Sequence, residues 1–173
     1  MLDRLPVLID PVSFCERGKS LSGTIEISEL TRLSDLLLDG SGIVDIDIAF
    51  DKEGRVPTIQ GEIKANLILE CQSCLKQVVL PIERNFKLGL VQSLEQADRL
   101  ASDCEPLLLE DEKLSLSEII EDELLLALPD FPRHDYECVD RNELLNTTQN
   151  NDDEQQNSNN PFSVLAKLKN TGD

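Results

Sequence analysis

Cys71 and Cys74 stand two residues apart in LILECQSCL, Leu67 to Leu75, and no other pair in the chain is better placed to do chemistry. Two thiols at that spacing, at a turn between strands, have the geometry of a zinc knuckle or of a dithiol pair. A knuckle that binds zinc needs two more ligands. His134 and Cys138, in PRHDYEC, offer an imidazole and a third thiolate, and three thiolates with one imidazole make an accepted structural zinc set. The stretch between Cys74 and His134 is far longer than the spacer of a compact finger, so the fold itself must deliver the second pair. A plainer reading leaves two thiols at a β-turn and a surface histidine. A redox dithiol fits less well, because that Cys-x2-Cys opens a helix after a strand, whereas strand-like sequence flanks this one on both sides.

The remaining chemistry is thin. Cys15 and Cys104 have no nearby partner pattern and read as small buried residues. His134 is the sole histidine and is followed by Asp135, but a Cys–His nucleophile also needs an orienting group and a Gly-rich oxyanion loop, and neither is visible. P-loop, GxGxxG and HExxH patterns are missing. The acidic run Glu110-Asp111-Glu112 reads as a solvated face. No catalytic or cofactor-binding residue is assigned, and zinc on Cys71, Cys74, His134 and Cys138 is the one candidate cofactor.

The elements that must hold these groups belong to a chain of 173 residues, enough for one domain and a tail. Apolar residues make up 40%, with no Trp and one Tyr, so the core must be Leu, Ile and Val. No apolar run reaches the roughly 18 residues that span a bilayer. The start, MLDRLPVLIDPVSF, lacks a signal peptide's basic start and cleavage site, so the expected location is the cytoplasm. Five cysteines, an odd number, argue for thiols or metal over a disulfide framework. Net charge is −18, from 34 acidic and 16 basic residues. Such a surface repels phosphate backbones, which disfavours direct RNA or DNA binding and favours a basic protein partner. Solubility alone is the bland account of the same acidity.

Leu5 to Ile9 is a short β-prone run stopped by a turn signal at Asp10-Pro11. Leu21 to Ile27 alternates as a strand, and Ser28 to Asp39 carries Leu30, Leu33 and Leu37 at helical spacing before Gly40. Ile43 to Phe50 puts Val44, Ile46, Ile48 and Phe50 on one face, with Asp45 and Asp47 on the other. After a turn over Asp51 to Gly54, Thr58 to Glu70 alternates again, with Glu62, Lys64 and Asn66 outward. Val78 to Val91 continues as strand, with Pro81 marking an edge or bulge. Ser93 to Asp103 reads as a loop with a helical turn, and Glu105 to Glu110 as a short strand. Ser115-x-x-Glu118 is a capping box for a helix ending at Pro129, whose Glu118, Glu121, Asp122 and Glu123 read as an acidic exposed side.

The fold class is therefore α+β: a curved, mostly antiparallel sheet of about five to six strands with two packed helices, Ser28 to Asp39 and Ser115 to Leu128. The expected organisation is one domain over 1–140, a disordered acidic, Asn-rich linker over 141–160, and a short amphipathic helix and tail over 161–173.

Four stretches, LPVLIDP, LECQSCL, EIIEDELLLALPDFPRHD and NPFSVLAKLK, come in this order and span nearly the whole chain. Together they resemble the bacterial large ribosomal RNA subunit accumulation protein (YceD) family. The resemblance implies a role in synthesis, processing or stability of large-subunit ribosomal RNA, and no catalytic residue comes with it. Its gene commonly neighbours that of a small, basic large-subunit ribosomal protein. Some members carry extra cysteines after the LALP-like motif, where this sequence offers only His134 and Cys138. The leading expectation is a non-enzymatic accessory factor in ribosome biogenesis, acting through a basic ribosomal or assembly protein and meeting rRNA indirectly. The alternatives are a metal-dependent RNA-processing enzyme and a thiol or zinc regulatory module.

Overall fold

The computed structural model describes residues 5–139. The chain divides into two compact units, Met1–Asp135 and Tyr136–Asp173, and the segments expected as linker (141–160) and terminal helix (161–173) lie outside the described residues. In chain order the elements are β1 (Leu8–Ile9), α1 (Pro11–Glu16), β2 (Ser20–Glu26), α2 (Thr31–Ser34), β3 (Ile43–Glu53), β4 (Val56–Glu70), β5 (Gln77–Val91), α3 (Leu94–Ala97), β6 (Glu105–Leu108), β7 (Leu114–Ser115) and α4 (Leu116–Ala127). The fold is α+β, as the alternation of β3 and β4 predicts.

One five-stranded sheet runs β2-β3-β4-β5-β6, antiparallel except for the parallel β5–β6 pair, and β1 with β7 makes a separate two-stranded ribbon. Period-two patterning sets its register. Ile46 sits opposite Ile63, and Phe50 opposite Ile59, so one face is continuous hydrocarbon. Pro81 lies where β5 is the last strand of the sheet among the described residues, because β6 pairs only with Leu88 to Val91. An edge strand is where a proline, which has no N–H to give, is tolerated. Gly61 allows the Phe86 ring to lie against the β4 backbone, since a Cβ there would collide with Cζ and Cε1 of that ring.

Helix α4 covers the dry face through Leu116, Ile119, Ile120 and Leu124, all buried. The Ser115 hydroxyl accepts from the Glu118 N–H at 3.4 Å, and Leu128 turns extended ahead of Pro129. Of its four acid residues Glu118 and Asp122 are exposed as expected, but the other two depart from the reading of an exposed acidic side. Glu121 and Glu123 are 5% and 3% exposed. Glu121 meets Arg32 Nε at 2.7 Å and accepts the Leu33 N–H at 3.1 Å, while Glu123 meets Arg84 Nε at 3.0 Å. Burial raises the Glu123 carboxyl above the usual range despite Arg84. For Glu121 burial is the largest influence, yet the Leu33 N–H and Arg32 together hold it below that range. Arg84 shares the core-facing side of β5, so helical periodicity aims these acids at cations that lie far away in sequence.

Two further segments differ from expectation. Asp10-Pro11 opens α1 instead of a turn: Asp10 Oδ1 accepts from the Ser13 N–H at 2.9 Å, with Pro11 at the first helical position. Phe14 of α1 then packs edge-on to Phe50, ring centroids 5.3 Å apart. The expected helix from Ser28 to Asp39 is only a 3-10 turn, Ile27–Glu29, followed by the four residues of α2. Leu38 donates its N–H to the Ile68 carbonyl at 2.9 Å and Asp39 bridges to Ile68, which draws this end of the segment onto the sheet edge.

Candidate metal centre

The β4–β5 hairpin closes on Cys71 to Lys76, and its turn is built by main-chain hydrogen bonds. Cys71 donates to the Lys76 carbonyl at 2.8 Å, and Leu75 donates back to the Cys71 carbonyl at 2.9 Å. Leu75 holds φ +56°, the left-handed conformation that lets the chain reverse directly after the second cysteine. The turn directs backbone N–H groups at one sulfur. Burial pushes the Cys71 thiol up, but the N–H groups of Cys74, Ser73 and His134, with the Cys74 thiol, bring it down to about 5.

The chain beyond α4 brings the imidazole. Gln72 donates to the Pro132 carbonyl at 2.8 Å, which lays the segment after Pro129 across the turn. His134 Nδ1 lies 3.6 Å from Cys74 Sγ, and Nε2 lies 3.0 Å from the Gln77 carbonyl oxygen. A carbonyl only accepts, so Nε2 is the donor in that bond, and Nδ1 faces the sulfur. A ring nitrogen pinned to a backbone carbonyl is the usual outer support of a metal-bound histidine. One ligand atom from each of Cys71, Cys74, His134 and Cys138 lies within 4.8 Å of the others. Four ligands about 2.0–2.3 Å from a tetrahedral zinc sit roughly 3.3–3.8 Å apart. Small side-chain rotations are enough to close that difference. The donor set, three thiolates and one imidazole, fits the chemistry of zinc.

Cys71, Cys74, His134 and Cys138 thus form a cluster that could hold a metal ion. Sequence reasoning did not find their supports, the Gln77 and Pro132 carbonyls and the left-handed Leu75, because these act through the backbone and leave no side-chain signature. Cys15 and Cys104 are buried elsewhere, each with its thiol pushed up chiefly by burial, and Cys15 donates to the Thr58 carbonyl at 3.3 Å.

The family model described as large ribosomal RNA subunit accumulation protein YceD matches residues 59–169, which takes in both halves of this centre. The chain belongs to the YceD family. A protein of that name from Haemophilus influenzae is 27% identical over 168 residues, covering 96% of this chain and 97% of its own length. No solved structure gives a significant match. Among the described residues no helix is long and apolar enough to cross a membrane.

Proposed function

We propose that this protein is a non-enzymatic accessory factor in the accumulation of large-subunit ribosomal RNA, working in the cytoplasm by binding a basic ribosomal or assembly protein. Kinship with the YceD family supports the rRNA role. The partner rests on one observation, the charge of the open face of the sheet. Cross-strand rows there run Thr24, Asp45, Lys64, Glu83 and Ser22, Asp47, Glu62, Asn85. Lys64 is shared between Glu62 at 2.9 Å and Glu83 at 3.6 Å, while Asp45 and Asp47 are exposed with no ion pair among the described residues. The surplus negative charge spans three adjacent strands. It would attract lysines and arginines of a partner and repel phosphates, so rRNA would be met through that partner.

Zinc on Cys71, Cys74, His134 and Cys138 would act structurally in this reading, as a cross-link between the hairpin turn and the chain after α4. The test is affinity capture from cells after nuclease treatment, alongside binding to a protein-free large-subunit rRNA fragment at low and physiological salt. Basic ribosomal proteins should co-purify, and Asp45→Lys with Asp47→Lys should weaken their capture about tenfold. Tight binding to naked RNA with no protein captured, or metal-dependent cleavage of that RNA, would overturn the reading.

A further inference from the structure

At the end of the sheet far from Cys71 and Cys74, a cavity of about 600 Å³ opens beside the β3–β4 turn. Its floor is apolar, with Val12, Pro57, Leu90, Leu100 and Leu109, and its polar groups include Arg55 and Arg99. A concave apolar site with a few converging polar groups is the usual form of a ligand pocket. The two arginines stand out in so acidic a chain. Arg32 and Arg84 are held in ion pairs with acids of α4, whereas Arg55 and Arg99 have no carboxylate partner among the described residues.

The fold places both arginines at the rim. Gly54, at φ +64°, turns the hairpin so that Arg55 follows at its tip. Arg99 follows α3 and donates its N–H to the Gln96 carbonyl at 3.1 Å. Leu100 then lies so close to the β5 backbone that a Cβ at Gly89 would come within 3.0 Å of its methyl groups. A second cavity, of about 590 Å³, shares Val12, Gln92 and Leu109 with the first and continues it as one trough. Its walls are acidic: Asp10, Glu16, Glu110, Asp111 and Glu112. An occupant must therefore present an anion at one end, an apolar group beneath it and positive charge at the other end. A polyanion fails this requirement, because its further phosphates would lie against Glu110 to Glu112. The carboxyl terminus of a basic chain meets it, since that terminus is the one anion such a chain always carries.

Resting on the basic-partner reading above, we propose that the trough receives the carboxyl-terminal segment of a basic polypeptide. Arg55 and Arg99 take the terminal carboxylate through paired N–H donors, the apolar floor takes the last side chain, and the acidic walls take the preceding lysines and arginines.

The probe is a pair of synthetic peptides of one sequence, lysine-rich and ending in two leucines, one with a free carboxylate and one amidated. Binding to the full chain is read by fluorescence anisotropy at physiological salt. The free acid should bind at least about tenfold more tightly, the scale of a charged hydrogen bond. The double variant R55Q/R99Q should abolish that preference, and both exposed positions tolerate the change without unfolding. Equal binding of the two peptides, or a preference that survives in R55Q/R99Q, overturns the inference. If basic ribosomal proteins are still captured in those cases, the reading of the sheet face stands. If neither peptides nor basic proteins bind, both fall.

Discussion

Helix α4 and the chain that follows it are attached to the same sheet in opposite ways. The helix buries Leu116, Ile119, Ile120 and Leu124 and sets two carboxylates against arginines. Beyond Pro129 the larger apolar side chains turn outward, with Phe131 68% and Tyr136 66% exposed. That segment is tied by polar contacts that include a backbone bond to Gln72, the His134 bond to Gln77 and the thiol–imidazole cluster. The first attachment draws on the hydrophobic effect and is indifferent to metal. The second is polar and local, and its strength depends on what the cluster binds.

The sharpest break is in the helix. Ile120→Ala or Leu124→Ala should cost about 3 kcal/mol by urea denaturation, within the range for large-to-small changes in a packed core. Metal content of the folded fraction should stay the same. If zinc is lost in proportion, the two attachments are one cooperative unit.

Arg84→Met tests the polar part of the helix seat. It strands the buried Glu123 carboxylate and should cost about 2 kcal/mol at neutral pH, below the figure for a fully buried pair because Arg84 is 30% exposed. The sign with pH follows from burial. A carboxyl raised in the folded state favours folding below its unfolded value, and this contribution is lost as pH rises through the folded value. The deficit relative to the parent protein should therefore shrink as the solution is acidified towards the ordinary glutamate range. A deficit that grows on acidification would show that Glu123 is not its source. Adding Glu123→Leu should restore most of the loss at neutral pH.

Cys74→Ser probes the other attachment. Bound zinc should fall from one equivalent to none, and the Gln72 amide should exchange about tenfold faster or more, while global stability shifts by less than about 1 kcal/mol. Amides of α4 that speed up equally would erase the distinction. The smallest effect is expected of Leu75→Gly, which relieves a left-handed leucine at the cost of a looser unfolded chain, for a net gain of about 0.5 kcal/mol. Zinc content is the control there, and should not change.

The sheet was legible because β3 and β4 bury one face only, which writes period two into the sequence. The four residues of the candidate metal cluster were legible because thiol and imidazole spacing survives as residue type. Glu121 and Glu123 misled because their arginines sit on α2 and β5, and no local pattern records such pairings. Between Ser28 and Asp39 the leucines have helical spacing, yet the Ile68 carbonyl takes the Leu38 N–H and the helix yields to the sheet. The cavity lined by Arg55 and Arg99 left no trace, since it forms only where the β3–β4 turn and the chain after α3 meet.

The small ribbon of β1 and β7 sets a timetable for synthesis. Leu8 pairs with Ser115, and the Leu116 N–H reaches the Val7 carbonyl at 3.0 Å. The first of the described strands to leave the ribosome must therefore wait for one of the last described elements. At about 5–20 residues per second that wait lasts roughly 5–20 seconds. During it the β2-to-β5 meander, whose strands are sequence neighbours, can already close, so the nascent chain holds a formed sheet while its dry face still lacks α4. For that interval the apolar face is open to whatever the exit tunnel's surroundings offer.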